Sequence, residues 1–219
     1  MDPDDDLRAR YNLELAAAFV LGHMPNLTHE KLVRMGQAAG LKMQRFKKTE
    51  PLPRVVKAIG MIRSIAPVNL LDIGSGRGTG LTQVLLEFPE LDITAVECDE
   101  NLISNLRALS RGLARVRPTG SLEVYDADAT KLPFDEGEFD VGTALEVLEH
   151  IQDTQQAVNE LVRVCRDVVF SVPSEPDDNP EHIHFHTTED LTRMFLTAGA
   201  KRITFDSVPG HTVGIAWKE

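Results

Sequence analysis

The chain is poor in the features that mark secreted, membrane-spanning and disulfide-built proteins. It has two cysteines in 219 residues, Cys98 and Cys165, with neither a metal-binding nor a redox spacing. That excludes a disulfide framework and leaves two reduced, partly buried thiols. No apolar run approaches the length of a membrane span. The one apolar stretch near the N-terminus, AAAFVL, follows Asp2, Asp4, Asp5 and Asp6 rather than a basic region, so no secretory leader is expected. A reducing, cytoplasmic setting is the expectation, with no membrane partner. Aromatic residues make up only 5% of the chain, but hydrophobic residues reach 42%, which suits a globular protein with a large core. Internal repeats and low-complexity segments are absent.

Positive charge is also short overall, with a net charge of −11 that argues against a nucleic-acid partner. The deficit is uneven. Between Lys31 and Arg63 nine basic residues face one acid, Glu50, which leaves the segment about +8 and the remainder about −19. A solvated helical face explains this simply; a docking surface for an anionic substrate, including RNA phosphates, is the sharper reading.

The stretch that organises the chain is Asn69 to Gly80, NLLDIGSGRGTG. Leu70 and Leu71 lead into Asp72, glycines follow at Gly74, Gly76, Gly78 and Gly80, and a helical pattern begins at Leu81. This reads as a buried strand, a tight turn and a helix. Glycine allows close approach to the backbone, and a helix start offers unpaired N–H groups, so the loop is suited to an anionic ligand. The dinucleotide fingerprint G-x-G-x-x-G counted from Gly74 requires a glycine at position 79, which is Thr79.

Before this stretch, helices are expected from about Asp6 to Leu21, with Gly22 as a stop, and from Thr28 as cap to Ala39. A basic connector, KMQRFKKTE, leads to a third helix opened by Pro51 and Pro53 and reaching about Ile65. After it strands and helices alternate, the pattern of a doubly wound α/β sheet. Strands are expected at Asn69–Ile73, Asp92–Glu97, Ser121–Tyr125, Phe139–Ala144, Asp167–Val172, Arg202–Asp206 and Thr212–Trp217. Helices are expected at about Thr79–Phe88, Glu100–Leu109, Gln155–Cys165 and Thr188–Ala198. Pro209-Gly210 turns the chain, so the last two strands can form a hairpin. The domain reading is a helical cap over residues 1–66 and a ligand-binding α/β domain over 67–219.

The pattern Asp72-x-Gly74-x-Gly76-x-Gly78 resembles the first motif of class I S-adenosylmethionine (AdoMet)-dependent methyltransferases, and the resemblance spans roughly Val68 to Trp217. Glu97 ends the second strand, where a carboxylate accepts from both ribose hydroxyls. The string DADATKLPFDEGEFD is similar to that family's adenine-flanking stretch, which implies Asp128 as acceptor for the adenine amino group and Ala129 as a backbone donor; Asp126 is the other candidate acid. The fold implied is a seven-stranded, mostly parallel Rossmann-like sheet with its last strand antiparallel, behind an N-terminal helical appendage that covers the acceptor site. The implied cofactor contacts are Asp72, Gly74, Ser75, Gly76, Gly78, Glu97, Cys98, Asp128, Ala129 and Leu145.

After the fourth strand, TALEVLEHI places Glu146, Glu149 and His150 at spacings of three and four, on one face of a helical start. Two carboxylates and an imidazole suit a divalent cation, Mg or Mn. Ubiquinone-pathway O-methyltransferases carry a similar stretch, and Hen1-type RNA 2′-O-methyltransferases place a metal on such a Glu-x-x-Glu-His run with one further histidine. EHIHFHTTEDL offers His182, His184 and His186 for that place, His182 aligning best. The reading is an AdoMet-dependent transferase, with His150, Glu146 and Glu149 as catalytic residues and Glu146, Glu149, His150 and His182 as metal ligands. The acceptor is an RNA 2′-hydroxyl or a small-molecule hydroxyl. The rival is a non-catalytic AdoMet-binding or partner module of the same fold.

Overall fold

The computed structural model describes residues 17–24, 26–28, 31, 52–116 and 119–218. The expected helix from about Asp6 is described only over its end, residues 17–23, and the helix after Thr28 only at Lys31, whose N–H donates to the Thr28 hydroxyl at 3.2 Å as an N-cap would. The rest of those two helices and the basic connector lie outside the described residues.

Helix α1 (Pro53–Ile65) opens on a proline in its first turn and buries Val55, Ala58, Ile59 and Ile62, a stripe at helical spacing. Strand β1 (Asn69–Ile73) is buried from Leu70 onward. A parallel strand at the centre of a sheet is covered on both faces, and so reads as a continuous apolar run. Asp72 breaks that run, and it is the first residue of the site. Helix α2 (Thr79–Glu87), β2 (Asp92–Glu97), α3 (Glu100–Val116), β3 (Leu122–Asp126), β4 (Phe139–Leu145), α4 (Thr154–Val164), β5 (Cys165–Pro173), α5 (Thr188–Thr197), β6 (Arg202–Val208) and β7 (His211–Trp217) complete the order.

The seven strands form one sheet in the order β3-β2-β1-β4-β5-β7-β6, with β7 antiparallel to both β5 and β6 and the other pairs parallel. Alternate residues of the strands feed two cores. One, including Leu70, Ile93, Val141 and Val169, packs under α1, α2 and α3; the other, including Leu71, Ile73, Val96 and Phe170, packs under α4 and α5. The strand order reverses between β1 and β4, so a crevice opens beyond their carboxyl ends.

Most boundaries fall within two residues of the sequence reading, and two differ by more. Helix α3 runs to Val116 instead of stopping near Leu109, because Gly112 is an inter-helix contact and not a terminator: a Cβ there would lie 1.6 Å from the Ala18 carbonyl oxygen. Residues 17–23 therefore lie close on α3, and Arg111 and Arg115 donate to the carbonyls of Gly22 and Leu21 at the end of that helical stretch. The expected helical start over TALEVLEHI is instead the end of β4, a left-handed Glu146 (φ 59°) and a short 3-10 turn, Leu148–His150. Among the described residues no helix is long and apolar enough to cross a membrane.

Candidate functional site

The turn after β1 is built as the sequence suggests. Gly74 has φ 62°, and a Cβ on it would come within 2.6 Å of the Val147 side chain, so glycine is required there on both counts. Asp72, 5% exposed, is held by two hydroxyls: Thr143 Oγ1 donates to Oδ1 at 2.6 Å and Ser75 Oγ to Oδ2 at 2.7 Å. Burial pushes its carboxyl up to about 6 against those hydrogen bonds, and the charge of Glu97 adds to the rise.

Glu97, 8% exposed, turns its carboxylate onto the loop: Oε2 accepts from the Gly76 N–H at 2.8 Å, and Oε1 from the N–H groups of Cys98 and Asp99 at 2.8 and 3.2 Å. Two buried carboxylates from neighbouring strands thus converge on one glycine turn. Next to Glu97, burial and the charges of Glu97 and Asp128 raise the Cys98 thiol above its usual range. Asp128 is exposed, and its Oδ1 accepts from the amide and hydroxyl of Thr130, which holds it below the ordinary carboxylate range. Ala129 follows it in the same turn, and Asp126 ends β3.

A cavity of about 200 Å³ opens beside the turn, lined by Asp72, Ser75, Gly76, Arg77 and Thr79, with Leu145, Glu146 and Arg54 on its other walls. Glu97 and Asp128 stand outside this lining, at the ends of the adjoining strands. Glu146 is held from three sides: Ser171 Oγ donates to its Oε1 at 2.7 Å, His211 Nε2 lies 3.0 Å from Oε2, and Arg54 Nε lies 3.8 Å from Oε1. Its left-handed backbone is costly for a glutamate, by about 1 kcal/mol or more, and is held by what surrounds it.

The Glu-x-x-Glu-His run therefore does not act as one face. Glu149, His150 and His182 offer ligand atoms within 4.8 Å of one another, whereas Glu146 is turned to Ser171, His211 and Arg54. Glu149 is fully buried, and neither carboxyl oxygen has a hydrogen-bond partner among the described residues. Burial pushes its carboxyl up to about 8, and the charges of Glu146 and Asp177 add to this. An orphaned buried carboxyl beside two imidazoles is an incomplete arrangement that a cation would complete. Of the three candidate histidines, only His182 sits at this group; its ring centre is 4.8 Å from that of His150. His186 Nε2 approaches the Leu148 carbonyl of the 3-10 turn at 3.3 Å and His184 Nε2 the Gln152 carbonyl just beyond it at 3.2 Å, so both tie the extended segment to residues 148–152. Burial pushes His186 below its usual value.

Sequence reading missed Thr143, Arg54, Ser171, His211 and Asp177. Thr143 pairs in register with Asp72 and Ser171 with Leu145, so both become visible once the strand order is known. His211 and Arg54 reach Glu146 from opposite ends of the chain, with no local motif to announce them.

Residues 71–169 match the model of a methyltransferase domain family. Norajmaline N-methyltransferase of Rauvolfia serpentina is 29% identical over 101 residues, covering 45% of this chain and 32% of that protein. The O-methyltransferase resE of Aspergillus sclerotiorum is 30% identical over 118 residues, covering 54% and 42%. This chain thus spans well under half the length of these two relatives. Among solved structures, an O-methyltransferase family protein from Burkholderia thailandensis superposes with a TM-score of 0.62 at 16% identity, over 87% of this chain and 58% of that one, a likeness of fold.

Proposed function

We propose that the chain carries a class I AdoMet-dependent methyltransferase domain and that it transfers the methyl group of AdoMet to a hydroxyl of a small-molecule acceptor, assisted by a divalent cation. The observation that carries the cofactor half is the convergence of Asp72 and Glu97 on the glycine turn. Asp72 would face the amino group of the methionine moiety. Glu97, fixed by three backbone amides with its Oε2 accepting only one of them, keeps a lone pair for a ribose hydroxyl. Gly76, whose added Cβ would meet nothing nearer than 3.8 Å, leaves the crevice side of the turn open. Arg54 and Arg77, on different walls of the same cavity, supply positive charge for the methionine carboxylate. Cys98, Asp128 and Ala129 would border the adenine, and Leu145 the reacting end.

AdoMet supplies a methyl group on a sulfonium, so the transfer neutralises charge instead of creating it. The protein's task is alignment and exclusion of water. Leu145 and Glu146, at the end of β4, wall the cavity where an acceptor would meet the cofactor. Glu149, His150 and His182 would hold the cation, which lowers the pKa of a coordinated hydroxyl. Two imidazoles and one carboxylate favour Mn²⁺, Co²⁺ or Zn²⁺ over the all-oxygen preference of Mg²⁺. Glu146 belongs to the acceptor wall in this reading, outside the ligand set.

The small-molecule acceptor is favoured over RNA by the fate of the basic segment. Of its four described members, three are directed at acids of the sheet domain: Lys57 pairs with Asp206 at 2.6 Å, Arg63 with Glu87, and Arg54 faces Glu146. We include in the proposal that residues 1–66 form a cap on that domain.

Methyl-labelled AdoMet incubated with candidate hydroxylated small molecules, and separately with RNA, tests the reading by the fraction that gains label. Glu149→Ala should abolish labelling while calorimetric AdoMet affinity persists. Labelling that survives an excess of chelator eliminates the cation, and labelling confined to RNA overturns the acceptor class.

A further inference from the structure

The loop between β5 and α5, residues 174–181 (SEPDDNPE), reaches both imidazoles of the Glu149 group. His150 Nδ1 lies 2.8 Å from the Glu181 carbonyl oxygen, and His182 Nδ1 lies 2.9 Å from Asp177 Oδ2. A carbonyl oxygen can only accept, so the nitrogen facing it carries the proton. A carboxylate imposes the same choice. In the neutral rings the loop thereby leaves the Nε2 atoms of His150 and His182 with their lone pairs free to donate.

The loop is itself anchored against the group it serves. Asp177 Oδ1 accepts from the Asn179 N–H at 3.0 Å, Asn179 Oδ1 from the Glu181 N–H at 3.1 Å, and the Asn179 carbonyl from the His182 N–H at 3.0 Å. The Ile183 and His184 N–H groups both donate to the Glu149 carbonyl, at 3.0 and 3.1 Å. The backbone of one ligand candidate is thus tied to the segment that carries another. Partners of this kind on the far nitrogen of a metal-binding histidine fix its tautomer and ring orientation, and their loss typically lowers metal affinity 10- to 100-fold.

We propose that Asp177 is a positioning residue for the cation site: it and the Glu181 carbonyl lock His182 and His150 as Nδ1–H tautomers, so that both Nε2 atoms are presented to a divalent cation at Glu149. This rests on the cation reading given above and adds the loop as the element that prepares the site. Asp177 does not touch the cation or the reacting atoms in this proposal.

Long-range ¹H–¹⁵N correlation spectra of the ¹⁵N-labelled, chelator-treated full chain read the tautomers directly. The unaltered protein should show His150 and His182 protonated at Nδ1. In Asp177→Ala His182 should lose that preference, and Mn²⁺ affinity by calorimetry should fall about 10- to 100-fold with AdoMet affinity unchanged. Asp177→Asn, which keeps an acceptor oxygen, should retain most of the Mn²⁺ affinity. The proposal is overturned if His182 is protonated at Nε2 in the unaltered protein, or if Asp177→Ala binds Mn²⁺ as tightly as the unaltered chain while Glu149→Ala does not. If the unaltered protein binds no Mn²⁺ at all, the cation reading falls and the proposal with it.

Discussion

Two buried carboxyls, Asp72 and Glu149, bind their protons more tightly in the fold than in the unfolded chain, and each carries a consequence for pH. An acid with a raised folded pKa stabilises the fold fully below its unfolded value and loses that contribution as pH rises through the folded one. For Asp72 the window runs from 3.8 to about 6, and keeping it ionised at neutral pH costs about 3 kcal/mol. Asp72→Asn should therefore raise the melting temperature of the cofactor-free protein at pH 7.5 while weakening AdoMet binding. The affinity of the unaltered chain should fall as pH drops through about 6, since the neutral acid no longer attracts the cofactor's amino cation. Calorimetry across that range checks both statements. For Glu149 the window runs from 4.5 to about 8. Melting curves in chelator should show the chain losing stability across it, and Glu149→Gln should flatten that loss.

At this scale the glycine turn and the two carboxyls beside it were legible, and the surroundings of Glu146 were not. Asp72, Glu97 and the glycines sit at the ends of strands that hydropathy alone delineates. Glu146 was misplaced because a spacing of three implies a shared face only on a helix, and its left-handed backbone turns it toward Ser171 and His211 instead.

Among the elements, α3 shows where local signals mislead. The helix was expected to end near Leu109, yet it runs on to Val116, with Gly112 admitting the backbone of residues 17–23. Gly112→Ala should force this contact apart, at a cost of about 1–3 kcal/mol or more. Hydrogen exchange at residues 17–23 should rise and the melting temperature fall, with AdoMet affinity unchanged. An unaltered exchange pattern would mean that the contact is not close. By contrast α5 was readable to within a residue, because Thr187 and Asp190 form a reciprocal capping box that the sequence spells out.

Over the whole molecule, the alternation of strands and helices and the Pro209-Gly210 hairpin gave the element order, and the family resemblance supplied the seven-stranded sheet with an antiparallel β7. The lateral strand order, by contrast, is set by long-range packing, and it is this order that places Thr143 beside Asp72 and Ser171 beneath Glu146. The sheet's reversal between β1 and β4 creates the crevice, and Leu145 and Glu146 beyond β4 wall its far side. The central claim is that this crevice holds AdoMet through carboxylates at the ends of β1 and β2. Calorimetric titration of the unaltered chain and of Glu97→Ala, with AdoMet and separately with NAD, tests it most directly. The account predicts one AdoMet bound per chain, an affinity about 10- to 100-fold weaker in Glu97→Ala through loss of charged hydrogen bonds, and no NAD binding. Binding of NAD without AdoMet, or AdoMet binding indifferent to Glu97→Ala, would contradict it.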